Sequence, residues 1–229
     1  MENRARIHLE IIKKCREEVG NDFAISIKMN SADFQKGGFS PEDSIQVAKL
    51  FSDSGIDNIE ISGGTYEQPR LLGLDKVSIN PKRSENRKES TIAREAYFLS
   101  YAEEIAKVVN IPLMVTGGFR TKEGMEAALR DGACEIVGVG RPLCANPYAI
   151  KELLSGQIDE LPKYEKTLSI GPWWLSPTSP FRLIQAINAF SAQAWFYQQI
   201  KKMGKGLMPD LNLKPWKAFR EVLRLIKRL

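Results

Sequence analysis

Two glycine-containing segments carry the residues best suited to bind an anion. One reads TGGFR at 116–120 and the other reads GVGRP at 138–142. Glycine lets a backbone approach a ligand closely and turn its N–H groups toward negative charge. An arginine in the second segment can add charge-assisted hydrogen bonds. The segments therefore indicate a phosphate site made of Gly117, Gly118, Gly140 and Arg141.

Each segment also has a simpler interpretation, in which its glycines only close a tight turn between a strand and a helix. Two such segments at consecutive strand ends, with Arg141 in the second, favour the phosphate site. Neither segment is the dinucleotide fingerprint GxGxxG, because Leu143 stands where its third glycine is required.

A single cation, Lys28, interrupts the apolar stretch FAISIKMN at 23–30. A charge on a buried strand is costly unless it is paired, so an electron-rich ligand is one natural partner. Two alternatives stay open: the side chain emerges into solvent at the strand end, or it pairs with Glu60 on the next strand. Asn30 and Ser62 could add polar contacts at the same edge.

The elements that must position these residues alternate between helix and strand. Apolar residues at helical spacing, with N-cap and glycine stop signals, predict helices over 3–19, 41–55, 97–109 and 121–129. Short β-rich stretches predict strands at 23–30, 56–62, 111–117 and 134–140. The polar stretch 63–89 is too long for a tight connection and predicts an excursion or lid.

This order predicts an α/β fold with a parallel sheet whose apolar strands are buried on both faces by helices. Four βα units are half of a TIM (β/α)8 barrel, and the chain begins inside a helix with no preceding strand. Both features favour the second half of such a barrel. The phosphate segments would then follow strands seven and eight. An open, doubly wound sheet like that of flavodoxin is the alternative.

Composition excludes several other classes of protein. No run of about 18 or more uncharged apolar residues occurs and the N-terminus is charged, so neither a membrane-spanning helix nor a signal peptide is predicted. The expected location is the cytoplasm. Cys15, Cys134 and Cys144 form no CxxC pair, which argues against a disulfide framework or a metal site. The single histidine, His8, lies on the first helix and is expected to be a surface or packing residue.

After Gly140 the pattern changes to helices without strands. A short helix is predicted to open at Asn146 and Pro147, followed by helices over 181–200 and 215–229. The last one carries an apolar stripe, expected to dock on its own protein: Trp216, Phe219, Leu223 and Ile226. Residues 201–229 hold nine Lys/Arg against two acids, so the net charge of +5 resides in this tail. No nucleic-acid recognition motif accompanies it, so nucleic-acid binding is not predicted.

Five segments, in this order and spacing, carry a family resemblance. They are ENRARIHLEIIKKCREEVG, FAISIKMN, GGFSPEDSIQVAKLFSDSGIDNIEISGG, REAYFLSYAEEIAKVVNIPLMVTGGFR and EIVGVGRPLCANP. Together they resemble the second half of the old yellow enzyme family of NADH:flavin oxidoreductases, from about residue 2 to 153. The resemblance implies a TIM barrel that binds flavin mononucleotide (FMN). It also implies hydride transfer from NAD(P)H, through the flavin, to an activated C=C bond of an enone-like acceptor.

The resemblance also assigns residues. Lys28 stands where a basic residue, usually arginine, contacts the flavin ring, while the four residues of the phosphate site stand where the family holds the flavin phosphate. Lysine is a departure, since it lacks the planar fork of arginine. The family's first barrel half supplies the polar pair that binds the substrate carbonyl and the proton-donating tyrosine. The catalytic residues are therefore expected in that missing half.

These inferences predict an FMN-binding half barrel over 1–153 and a helical extension over 154–229. The predicted function is an NAD(P)H oxidoreductase of the ene-reductase type acting on a small molecule, present here as a C-terminal fragment. A half barrel leaves open sheet edges, which favours a homo-oligomer or a partner supplying the missing half. The alternatives are a non-catalytic truncated half barrel, a sugar-phosphate isomerase or aldolase barrel, and an interaction module that uses the basic tail.

Overall fold

The computed structural model of the protein describes residues 1–33, 37–63 and 98–226, with only the backbone of residue 226. They form two compact units, Met1–Val139 and Gly140–Leu229, each of which has its own core. The predicted excursion at 63–89 lies outside the described residues, apart from Gly63.

The first unit alternates helix and strand as the sequence predicts. Its elements are α1 (Glu2–Val19), β1 (Ser26–Asn30), α2 (Pro41–Asp53), β2 (Asn58–Ser62), α3 (Leu99–Ala106), β3 (Leu113–Thr116), α4 (Lys122–Arg130) and β4 (Ile136–Gly138). The strands form one parallel sheet in the order β1-β2-β3-β4. Successive neighbours of this kind are the order of strands in a barrel. A doubly wound sheet reverses its order at a switch point, so the flavodoxin-like alternative is wrong for the described strands.

The two faces of this sheet differ in chemistry. One face is buried against the helices and carries Ile27, Met29, Ile59, Ile61, Leu113 and Val115. The opposite face carries polar side chains on β1 and β2, and Lys28 and Ile136 on it remain exposed. The prediction that helices bury both faces is therefore wrong for the described residues. The sequence carries a pattern typical of a sheet with one polar face, because SIKMN and NIEIS alternate polar and apolar residues.

Local signals fix where the helices of this unit begin. At α2 the Ser40 hydroxyl accepts a hydrogen bond from the Asp43 amide, and the Asp43 carboxylate accepts one from the Ser40 amide. This reciprocal capping box, with Pro41 at the first helical position, satisfies amide groups that the helix itself leaves unpaired. Thr121 caps α4 through a single hydrogen bond, in which its side-chain oxygen accepts from the Gly124 amide.

Arg16, near the end of α1, ties three segments of the first unit together. Its guanidinium donates hydrogen bonds to the carbonyl oxygens of Gly20, Phe23 and Gly55 at 2.8–2.9 Å. It also contacts Asp57 Oδ2 at 2.5 Å, and the same oxygen accepts the Ile25 amide at 2.7 Å. The amide of Ile25 and the Arg16 guanidinium hold the pKa of Asp57 below its usual value.

Replacement of Arg16 is expected to destabilise this unit. Because the folded pKa of Asp57 lies below its unfolded value of about 3.9, its charge stabilises the fold above that value, and this contribution is lost as pH falls through the folded pKa. Arg16→Ala should lower the free energy of unfolding by about 2 kcal/mol near neutral pH, with a smaller difference from wild type in acid. Urea denaturation at several pH values measures this.

A matched control is Lys14→Ala, since Lys14 is an exposed cation of the same helix that pairs with Glu17 three residues away. Its effect should stay below about 0.5 kcal/mol. Equal stabilities of the two variants would contradict the role given to Arg16.

The second unit is helical. It contains α5 (Arg141–Ala145), α6 (Ala149–Leu154), 3₁₀ turns at Tyr164–Lys166 and Trp173–Leu175, α7 (Arg182–Met203) and α8 (Pro215–Ile226). The short helix predicted to open at Asn146 and Pro147 is confirmed as α6, which begins slightly later, whereas α5 before it was not predicted. Asn146 separates them because its side chain accepts from the Tyr148 amide and donates to Glu152.

Helices α7 and α8 pack through a small core around Trp195 and Ala218. The Trp195 indole donates to the Leu213 carbonyl at 2.8 Å, which holds the connecting loop. Of the predicted stripe on α8, Phe219 packs against this core, whereas Trp216 and Leu223 are exposed by 43% and 42%. The prediction that this stripe docks on the protein is thus partly wrong. The fully buried Ala218 allows α8 to approach the core closely, so another face of this helix turns inward. In the described ranges, no helix combines the length and apolarity needed to cross a bilayer.

Candidate functional site

The end of β3 turns sharply through two glycines. Gly117 has φ 129° and Gly118 has φ 92°, a region of backbone conformation that favours glycine. The next residue, Phe119, is buried, and the Arg120 guanidinium donates to its carbonyl at 2.7 Å. The turn interpretation therefore holds for both glycines. It is compatible with a ligand, because both remain partly exposed.

Thr116, the residue before this turn, lies beside Gly138 of β4 in the sheet register. A Cβ at Gly138 would lie 1.9 Å from Thr116 Oγ1, so packing requires glycine there. Thr116 Oγ1 is itself buried without a hydrogen-bond partner among the described residues. A buried hydroxyl of this kind is costly unless something binds it. We did not predict Thr116 as a site residue, although it is the first residue of the TGGFR segment.

Gly140 and Arg141 open the second unit. Gly140 has φ −117°, and a Cβ there would meet no described atom within 4 Å. Neither backbone strain nor packing among the described residues thus requires a glycine there. Arg141 Nη1 lies 3.9 Å from Glu165 Oε1, and its side chain is 23% exposed. That separation is an ionic contact too long for a hydrogen bond.

Lys28 pairs with Glu60, which was one of its predicted possibilities. Its Nζ lies 2.5 Å from Glu60 Oε1, and the two residues are register partners on β1 and β2. The lysine side chain is 55% exposed and that of the glutamate 20%. Of the polar residues expected at the same edge, Asn30 donates to Asp33 and Ser62 is buried.

Nothing in the described surroundings of Cys134, Cys144 or His8 favours a chemical role, and Cys15 is exposed. Burial raises the pKa values of the Cys134 and Cys144 thiols, which disfavours the thiolate form. His8 is exposed on α1 and its ring lies 6.0 Å from that of Phe51, as expected of a surface or packing residue. In the part of the chain that the structure describes, no group of three or more His, Cys, Asp or Glu side chains could hold a metal ion.

Comparison with known proteins decides the family. Residues 1–160 match the family model described as the NADH:flavin oxidoreductase / NADH oxidase family. The chain belongs to this family. The resemblance drawn from the five sequence segments is therefore confirmed, and the sugar-phosphate isomerase or aldolase alternative loses its support.

Three curated relatives are each longer than this chain. The NADH-dependent flavin oxidoreductase iccE of Talaromyces variabilis is 32% identical over 207 residues, which are 89% of this chain and 47% of that protein. The NADH-dependent flavin oxidoreductase iliE of Hypocrea jecorina (strain QM6a) is 39% identical over 158 residues, 67% of this chain and 36% of that protein. The NADH oxidase of Thermoanaerobacter brockii is 32% identical over 88% of this chain and 28% of its own length. This family member thus spans less than half the length of each of these relatives.

Solved structures confirm the barrel-type α/β fold of this family member. A 2-naphthoyl-CoA reductase, solved in complex with 2-naphthoyl-CoA, superposes with a TM-score of 0.57 at 26% identity, covering 73% of this chain and 24% of that one. Histamine dehydrogenase from Rhizobium sp. 4-9 gives a TM-score of 0.52 at 21% identity, covering 68% and 20%, and supports the fold alone.

Proposed function

We propose that this chain holds the phosphate end of FMN in an NAD(P)H oxidoreductase of the ene-reductase type. The observation that carries the proposal is the edge formed by β3 and β4. There, two glycines at positive φ follow Thr116, whose buried hydroxyl has no hydrogen-bond partner among the described residues. Family membership over residues 1–160 makes a flavin phosphate the natural anion for this edge.

The residues present fit such a group. Thr116 can donate its hydroxyl proton, and the backbone at Gly117 and Gly118 can turn amide groups toward a dianion. Gly140 leaves space beside its backbone, and Arg141 brings a cation whose N–H groups suit phosphate oxygens. Lys28 would contribute a positive charge beside the flavin ring.

Bound FMN would supply the redox chemistry, accepting hydride from NAD(P)H and passing it to an activated C=C bond of a small molecule. The chain's own residues would bind and orient it. Thr116, the glycines and Arg141 would fix the phosphate, while Lys28 would stabilise negative charge on the reduced ring. By family resemblance, the carbonyl-binding pair and the proton donor come from the other half of the barrel.

The proposal therefore includes a partner that completes the barrel, either a separate half or a second copy of this chain. It is supported by the described sheet, in which β1 and β4 are the edge strands and Lys28 and Ile136 remain exposed on one face. Open parallel edges readily pair with further strands. On the sequence alone, the proposal also holds that this chain is a fragment and that it lies in the cytoplasm.

The absorption spectrum of the purified chain during titration with FMN tests this function. We expect a saturable shift of the visible flavin band, followed by bleaching when NADH is added without oxygen. The bleaching rate should rise with chain concentration if a second copy completes the barrel. An unchanged flavin spectrum would overturn the binding proposal. A bound flavin that NADH leaves oxidised at every chain concentration would rule out a second copy of this chain as the completing partner.

A further inference from the structure

One ion pair dominates the charge on the polar face of the sheet. Lys28 and Glu60 are the two charged residues at the described strand positions of this face, and their atoms lie 2.5 Å apart. The next pair along β1 and β2 is uncharged, since Ser26 donates to Asn58 Oδ1 at 2.8 Å. Beyond Glu60 the same rung continues with Met114 and Ile136, which carry no charge.

We propose that Glu60 is a positioning residue that offsets the charge of Lys28 and so weakens the preference of the site for reduced over oxidised flavin. This inference rests on the function proposed above. No contact between Glu60 and flavin is implied, because the carboxylate acts through the lysine.

The contact between Lys28 and Glu60 reduces the electric field that the lysine exerts on its surroundings. A cation in contact with a carboxylate presents a dipole, whose field falls off faster with distance than that of a free charge. Reduction adds negative charge to the flavin ring, so a compensated lysine stabilises the reduced form less than a free one would. By resemblance, an arginine usually stands at this position, and lysine is this chain's departure from it.

Fold stability does not explain the pair. The lysine is more than half exposed, and exposed ion pairs contribute little to stability because water screens them. Glu60→Gln keeps the size of the side chain and its ability to accept a hydrogen bond from Lys28, while removing the charge. This variant should therefore unfold at the same urea concentration as the wild type.

The test compares dissociation constants for oxidised and reduced FMN. In Glu60→Gln we expect their ratio, oxidised over reduced, to rise about tenfold, which equals about 30 mV for a two-electron couple. Glu60→Asp keeps the charge and should stay near wild type. Lys28→Met should lower the ratio. Asn58→Ala, which removes the neighbouring uncharged pair, is the matched control and should leave it unchanged.

The outcomes separate this inference from the proposed function. If the wild type binds both forms of FMN and Glu60→Gln leaves the ratio unchanged or lowers it, Glu60 does not compensate Lys28 and the inference is wrong. If Asn58→Ala shifts the ratio as much as Glu60→Gln, the effect is structural and the inference again fails. If the wild type binds neither form, the proposed function itself fails and this inference goes with it.

Discussion

Gly138→Ala is expected to lower the free energy of unfolding by about 3 kcal/mol, the largest stability effect predicted for this chain. The new Cβ would lie 1.9 Å from Thr116 Oγ1, 2.8 Å from Thr116 Cβ and 2.7 Å from Met114 Cε. The methionine tip can move, but Thr116 is held in the β3 ladder directly opposite Gly138. The two strands must therefore separate or distort at the edge where ligand binding is proposed. Chemical denaturation measures the loss.

Two further variants make this result specific. Gly140→Ala adds the same methyl group where no described atom lies within 4 Å, at a negative φ, so its stability should stay within about 0.5 kcal/mol of wild type. Thr116→Ala combined with Gly138→Ala removes the shortest contact and should recover part of the lost stability. A Gly138→Ala protein as stable as Gly140→Ala would refute the packing described for β3 and β4.

Arg141→Ala is expected to weaken FMN binding about thirtyfold, equivalent to about 2 kcal/mol, because a charged hydrogen bond to phosphate is lost. Glu165 is the ionic partner of Arg141, at 3.9 Å, and this contact is too long to hold the guanidinium by hydrogen bonding. The arginine can therefore turn its N–H groups to a ligand without breaking a hydrogen bond to Glu165. Titration of flavin absorbance gives the two dissociation constants.

The matched control is Arg224→Ala, which removes an exposed arginine of the same unit that pairs with Glu221. Arg224→Ala lowers the net charge of the chain by the same amount as Arg141→Ala. The comparison therefore separates the loss of a local contact with the phosphate from a weaker general attraction of the anion to the protein. Arg141→Lys should lie between wild type and Arg141→Ala, since it keeps the charge and loses the fork. Equal affinities of the Arg141→Ala and Arg224→Ala proteins would reject the phosphate role of Arg141.

Residue spacing was enough to predict the eight described elements of the first unit, because each strand or helix carries its own periodic signal. Strand ends were less predictable. FAISIKMN suggests a strand from residue 23, yet β1 begins at Ser26. The Phe23 carbonyl is instead taken by Arg16, and Phe23 itself is 62% exposed. An arginine seven residues away along the chain competes with the sheet, and no local pattern shows this.

The sequence also could not predict contacts that depend on strand register or on the rotation of a helix about its axis. Lys28 had three open possibilities, and the alignment of β1 with β2 establishes the pair with Glu60 without testing a contact with a ligand. On α8, the apolar stripe predicted that Trp216 packs inward, but the buried Ala218 sets the contact and leaves Trp216 beneath the cations Lys217 and Arg220. A small residue that permits close approach gives no periodic signal of its own.

Some features of the candidate site could be predicted from the sequence and others could not. Positive φ at Gly117 and Gly118 follows from the glycine pair, because other residues adopt it at a cost. The roles of Gly140, Arg141 and Lys28 toward a ligand remain predictions. Thr116 was missed because a threonine at a strand end is common, and only its burial without a partner among the described residues singles it out.

The central claim is that this chain holds the phosphate of a flavin, and the most direct test compares FMN with riboflavin, which lacks that phosphate. The account predicts that the wild-type chain binds FMN at least about thirtyfold more tightly than riboflavin, and that Arg141→Ala removes most of this preference. Riboflavin bound as tightly as FMN by the wild-type chain would contradict it.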